Sequence, residues 1–189
     1  MPLGLVAEQN ASSSKLKVGD LAPALSTGEW LKGEPVKRFE KGTVYLVEFW
    51  ATWCGPCVKS IPHLTELQKK YPKLVIIGQN CSERDQSIAK GFVDKQGASM
   101  DYRVALDDTS KEPGGAMYKE WMNASGARGI PHAFLVDQNK RIAWAGHPAT
   151  LTPQIIEACL AGTLEPQKPV DEKIRIKDGQ LVLPGQGVQ

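Results

Sequence analysis

Two periodicities divide this chain. Thr43-Val44-Tyr45-Leu46-Val47-Glu48-Phe49-Trp50 is a nearly continuous apolar and β-branched run, the pattern of a strand buried on both faces of a parallel sheet, with one charged residue, Glu48, out of place in it. From residue 54 to 71 the period becomes helical, with Val58, Ile61, Leu64 and Leu67 about one face, and Tyr71-Pro72 ends it. Residues 74–78 read as a second buried strand, 86–96 as a second helix carrying Ile88, Phe92 and Val93, and 102–106 as a short strand. Residues 116–122 predict a short helix. Strands over 133–136 and 141–145 are joined through Asp137-Gln138-Asn139-Lys140, and Thr152-Pro153 starts a last helix to residue 160, stopped at Gly162. This order predicts an α/β domain with a central mixed β-sheet, parallel then antiparallel, flanked by helices.

The flanks are punctuated differently. Residues 1–14 read as a disordered polar leader; 15–42, with Gly19, Pro23, Gly28, Gly33, Pro35 and Gly42, predict a short strand pair ahead of the core. After Gly162 comes a proline-containing linker over 163–169. Asp178-Gly179 between the alternating runs Ile174-Arg175-Ile176-Lys177 and Gln180-Leu181-Val182-Leu183 predicts a C-terminal hairpin. The division is therefore 1–14 leader, 15–162 domain, 163–189 extension.

Composition narrows the partners. A chain of 189 residues that is 41% hydrophobic and 23% charged fits one domain with extensions better than two. A net charge of +2 with no basic stripe argues against nucleic acid. No apolar stretch approaches the roughly 20 residues a transmembrane helix needs. Residues 1–14 lack a basic start and a full apolar segment, so no signal peptide is visible and a cytoplasmic location stays open, although Val6-Ala7 before Glu8 also fits the stub of a removed signal.

Four cysteines are too few for a disulfide scaffold, so their spacing carries the information. Trp53-Cys54-Gly55-Pro56-Cys57 places a C-x-x-C between a buried strand and a helix, the context of a redox motif. Two intervening residues on a first helical turn bring both sulfurs within bonding distance, and the positive helix end stabilises the first thiolate. Cys54 is the expected nucleophile. Cys57, one turn inside, is the more shielded, resolving thiol. The competing use of such a pair is half a zinc site completed by Cys81 with His63 or His132, but no second C-x-x-C or H-x-x-x-H exists. No metal site is expected, and no cofactor beyond the Cys54–Cys57 disulfide. Cys81 follows a core strand and Cys159 lies on an apolar stripe with Ile155, Ile156 and Leu160. Both are expected to be buried, unreactive thiols; whether they pair depends on a separation that sequence does not show.

The string Val47-Glu48-Phe49-Trp50-Ala51-Thr52-Trp53-Cys54-Gly55-Pro56-Cys57, followed by Pro62 and by Arg128-Gly129-Ile130-Pro131, resembles the thioredoxin superfamily. Val18-Gly19-Asp20-Leu21-Ala22-Pro23, Thr52, and the long segment before Pro131 are more similar to its extracytoplasmic TlpA/ResA branch than to plain thioredoxin. The resemblance covers residues 18–162. It implies a thioredoxin-like fold with an N-terminal strand extension, a β/α insertion before a cis-proline at Pro131, and a C-terminal hairpin. It implies that the Ile130 backbone pairs with a substrate strand, that Trp53 lies on the substrate surface, and that Gly55 and Pro56 tune the potential. Trp50 is a packing residue and Pro62 a helix kink. Glu48, six positions before Cys54, takes the place of the family's buried acid: burial raises its pKa, so it can accept the Cys57 proton through water. Glu instead of the commoner Asp leaves open a purely structural acid, just as an ordinary trans proline stays open at Pro131 and either a redox or a solvent-facing role at His132.

Function follows in outline. The first reading is a monomeric thiol–disulfide oxidoreductase that reduces protein disulfides and is recharged by an upstream thiol donor, with a periplasmic or other extracytoplasmic location implied by the branch. The alternative is a metal-holding chaperone or assembly module using the same two cysteines. A peroxidase with a lone cysteine is disfavoured, because Pro-x-x-x-Thr-x-x-Cys does not occur around Cys54.

Overall fold

The computed structural model describes residues 15–165 and the backbone of two short strands, Arg175–Lys177 and Gln180–Val182. The expected leader over 1–14, the proline-containing stretch from 166 and the Asp178-Gly179 turn lie outside the described residues.

Six strands form one mixed sheet: β1 (Thr27–Lys32), β2 (Val44–Trp50), β3 (Leu74–Asn80), β4 (Arg103–Asp107), β5 (His132–Val136) and β6 (Ile142–Gly146). Their order is β1-β4-β3-β2-β5-β6. β2, β3 and β4 run parallel, while β1, β5 and β6 add antiparallel partners. Helix α1 (Gly55–Lys70) returns the chain from β2 to β3, and α2 (Gln86–Gln96) from β3 toward β4. α3 (Pro153–Ala161) begins at Thr152, whose side chain accepts the Ile155 N–H, and ends at Gly162 in the left-handed conformation, φ 71°. β7 (Arg175–Lys177) and β8 (Gln180–Val182) pair antiparallel, apart from the main sheet.

The sheet separates two apolar layers. Val44, Leu46 and Trp50 of β2 face one side with Cys57, Ile61 and Leu64 of α1 and Ile156 of α3. Tyr45, Val47 and Phe49 face the other with Met117, Trp121 and Phe134, where aromatic rings meet edge to face at 5–6 Å between centroids. All seven residues of β2 are buried, as a strand paired on both edges and covered on both faces requires.

Two expectations change. The strand pair expected within 15–42 does not form: β1 pairs with β4, whereas residues 19–22 bond to residues 140–142, with Leu21 bridging Arg141. The segment thus adds β1 outside β4 and bridges β6 on the far side of the sheet, where backbone groups of those two strands take its hydrogen bonds. The short helix expected at 116–122 runs further, with Tyr118–Asn123 wound as a π-helix. Asp107, at the end of β4, holds it in place: Met117 and Tyr118 donate their backbone N–H groups to its two carboxylate oxygens at 2.8 and 2.9 Å.

Gly115 lies against this carboxylate at φ +93°, and a Cβ there would overlap Asp107 Oδ2. Gly115→Ala is expected to lower stability by about 1 to 3 kcal/mol in denaturant unfolding, from left-handed strain and loss of the cap. The neighbouring Gly114→Ala, with nothing within 4 Å of its Cβ, is the control expected to stay within about 0.5 kcal/mol.

Candidate active site

β2 ends at Trp50, and the chain turns through Ala51-Thr52-Trp53 into α1. Cys54 caps that helix: its Sγ accepts the Cys57 N–H at 3.3 Å, Pro56 occupies the first turn where no N–H is needed, and no acidic side chain stands there. Cys54 and Cys57 are disulfide-bonded. Cys57 is fully buried and Cys54 keeps 5% of its surface, so Cys57 is the more shielded by a small margin, but Cys54 is buried rather than exposed. The Ile130 carbonyl oxygen lies 3.7 Å from Cys54 Sγ, and the Ile130–Pro131 peptide is cis. Ile130, Pro131, Cys54 and Cys57 are therefore brought together. Trp53 is 61% exposed, its indole N–H donating to the Ser82 carbonyl at 3.0 Å. It lines a groove of about 560 Å³ with Thr52, Ser82, Glu83, Arg84 and Ile88.

Glu48 is 1% exposed and shares its face of β2 with Val44, Leu46 and Trp50, the face that packs on Cys57. Its neighbours across the sheet are Gly78 on β3 and Ala133 on β5, small enough to admit a carboxyl. Burial pushes its pKa up to about 8.

His132 faces away from the sulfurs and keeps part of its surface exposed. It opposes Phe49 in the β2–β5 register, with its ring 4.9 Å from Phe134, on the sheet face away from the cysteine pair. Burial, then the nearby His147, holds its pKa below the usual imidazole value. Cys81 and Cys159 are buried and unpaired, and burial raises both thiols, Cys159 to about 12. Among the described residues no three His, Cys, Asp or Glu side chains stand together as a metal site would require, and no helix is long and apolar enough to cross a membrane.

Sequence reasoning passed over Glu83. Its carboxylate accepts the Thr52 N–H at 2.6 Å, the Thr52 hydroxyl at 3.0 Å and the Asn80 side-chain amide at 2.9 Å. It clamps the turn that delivers Cys54. Its signal was topological: an acid just after β3 lies beside the end of β2 once the two strands pair in parallel.

A family model described as Redoxin matches residues 17–159. Protein FixW of Rhizobium leguminosarum is 30% identical over 156 residues, covering 77% of this chain and 68% of that protein. Thiol-disulfide oxidoreductase ResA of Bacillus thuringiensis is 30% identical over 135 residues, covering 70% of each. Among solved structures, a thiol:disulfide interchange protein DsbE from Chlorobium tepidum superposes with a TM-score of 0.58 at 26% identity, over 77% of this chain and 99% of that one. A thiol-disulfide isomerase from Corynebacterium glutamicum shares the fold, with a TM-score of 0.59 at 21% identity over 76% and 96% of the two chains.

A carboxyl that folds with its pKa raised from 4.5 to about 8 makes stability fall as pH climbs through that window, because the unfolded chain releases the proton first. Glu48→Gln is therefore expected to stabilise the oxidised protein by about 2 to 3 kcal/mol at pH 7 and by less than about 0.5 at pH 4.5. Urea unfolding at the two pH values measures it, and an equal gain at both would exclude a buried titrating carboxyl.

Proposed function

The chain belongs to the Redoxin family as a TlpA/ResA-like member of the thioredoxin superfamily and is a thiol–disulfide oxidoreductase, and from that premise we propose that it runs as a reductase of protein disulfides. The observation that carries this reading is the setting of Cys54. The helix N-terminus and the Cys57 N–H favour its thiolate, but the Ile130 carbonyl stands against it and no cation flanks it in Trp53-Cys54-Gly55-Pro56-Cys57. A strongly oxidising pair needs a strongly stabilised thiolate in its reduced form; this setting offers moderate stabilisation. Gly55 and Pro56, which add no charge, tune the potential in the same direction.

In the proposed cycle the Cys54 thiolate attacks one sulfur of a substrate disulfide, forming a mixed disulfide and releasing the other substrate sulfur as a thiolate. Cys57 then loses its proton through water to ionised Glu48 and attacks Cys54 Sγ, expelling the second substrate thiolate. Two electrons have passed to the substrate, and the Cys54–Cys57 disulfide remains for an upstream dithiol to reduce. The partners are thus a disulfide-bearing protein, whose extended segment pairs with the Ile130 backbone beside Pro131 and rests on Trp53, and a thiol donor. Neither step calls for a metal or organic cofactor, and one copy of the chain suffices. Likeness to the ResA branch supports work outside the cytoplasm.

The two cysteines have distinguishable phenotypes. Cys54→Ser is expected to abolish insulin reduction in dithiothreitol, whereas Cys57→Ser should accumulate a mixed disulfide on Cys54, detectable by mass spectrometry; adducts on Cys57 of the Cys54→Ser protein would reverse the roles. The reduction potential, by equilibration with glutathione, is expected nearer the value of about −270 mV of thioredoxin than the value of about −120 mV of DsbA. Resolution by Cys57, followed by stopped flow, should accelerate as pH rises from 6 through about 8, as Glu48 ionises, and should lose that rise in Glu48→Gln.

A further inference from the structure

Three buried side chains about Gly78 each carry a polar atom without a hydrogen-bond partner in the protein: Glu48 Oε1, Trp50 Nε1 and Tyr102 Oη. Gly78 is the β3 residue opposite Glu48. A Cβ on Gly78 would lie 2.9 Å from Tyr102 Cε2 and 3.3 Å from Trp50 Nε1. The phenol ring therefore lies over the bare backbone beside Glu48, its hydroxyl one bond beyond the neighbouring ring carbon, and the indole N–H borders the same spot. Glu48 and Trp50, two residues apart on β2, share a face. All three are nearly sealed, Glu48 and Trp50 at 1% exposure and Tyr102 at 5%.

Their chemistry is complementary. A carboxylate only accepts, an indole N–H only donates, and a phenol does either, so it can donate to ionised Glu48 or accept from its protonated form. Buried polar groups left unpaired are costly, and complementary ones about one glycine need only small rotations or a shared water to satisfy one another. We propose that Tyr102 is the positioning residue for Glu48, its hydroxyl, seconded by the Trp50 indole N–H, holding the carboxylate from which the Cys57 proton is accepted and returned. This inference rests on the reading of Glu48 as proton acceptor.

Cys54 and Cys57 on α1 lie on the layer Glu48 faces, Cys81 after β3 senses its charge, and its β5 neighbour is Ala133. The Glu48 charge reaches Tyr102: burial, then that charge, makes the phenol harder to ionise.

Tyr102→Phe tests the assignment. It keeps the ring over Gly78 and removes one atom that has no protein partner, so the fold is retained. The Glu48 carboxyl is titrated by carbon NMR in oxidised protein carrying labelled glutamate, where no catalysis is involved. Loss of a donor to the ionised form is expected to raise the midpoint by about one unit, and to slow resolution at pH 7 about tenfold. Trp50→Phe removes the second donor and should shift the midpoint the same way by less. A midpoint unchanged or lowered in Tyr102→Phe would overturn the proposal and leave the phenol as packing. Failure of the Glu48 reading shows elsewhere, as Glu48→Gln resolving at the wild-type rate, because the carboxyl titration does not depend on that rate.

Discussion

The cysteine pair hangs from β2. Because this strand is paired on both edges and buried on both faces, its end is held by β3 on one side and β5 on the other. The chain leaves it at Trp50 with no freedom of direction. The same two neighbours supply contacts to the turn: β3 leads into the loop that brings Glu83 to Thr52 and the Ser82 carbonyl to Trp53, and β5 is preceded by Ile130 and Pro131 beside Cys54. Sites at the carboxyl ends of parallel strands are where loops from adjacent strands meet, and here those loops grip one turn from opposite sides.

Two buried carboxyls show how partners decide the behaviour of the same chemistry. Asp107 is buried but accepts backbone N–H groups from Met117 and Tyr118, and burial against those bonds leaves it at about 6. Glu48 is buried with one oxygen unpartnered and rises to about 8. The first spends its charge on holding a helix against the sheet. The second keeps its proton near neutrality and lies on the cysteine-facing side of β2.

The N-terminal segment has a structural task that bears on the site indirectly. By bonding residues 19–22 to residues 140–142 and β1 to β4, it covers the outer sides of β6 and β4 and leaves β1 as the outermost strand on one side. The exposed apolar groups that remain near the pair, Trp53 and Ile88, then stand out against a polar surround.

What the sequence determined by itself was local. The run over 43–50 announced β2, helical spacing and Tyr71-Pro72 bounded α1, Thr152 and Gly162 bounded α3, and a C-x-x-C at a strand-to-helix junction announced the redox pair, because these signals depend on backbone periods and caps within a few residues. Glu48 was legible as an anomaly, since a charge in a doubly buried strand needs a reason. Tertiary structure alone decided the rest. It sent 15–42 to two distant edges, turned His132 to the face away from the sulfurs, brought Glu83 onto Thr52, and set Tyr102 over Gly78 beside Glu48. Each of these joins residues remote in the chain, and such pairings are settled by strand order and register, which periodicity does not encode.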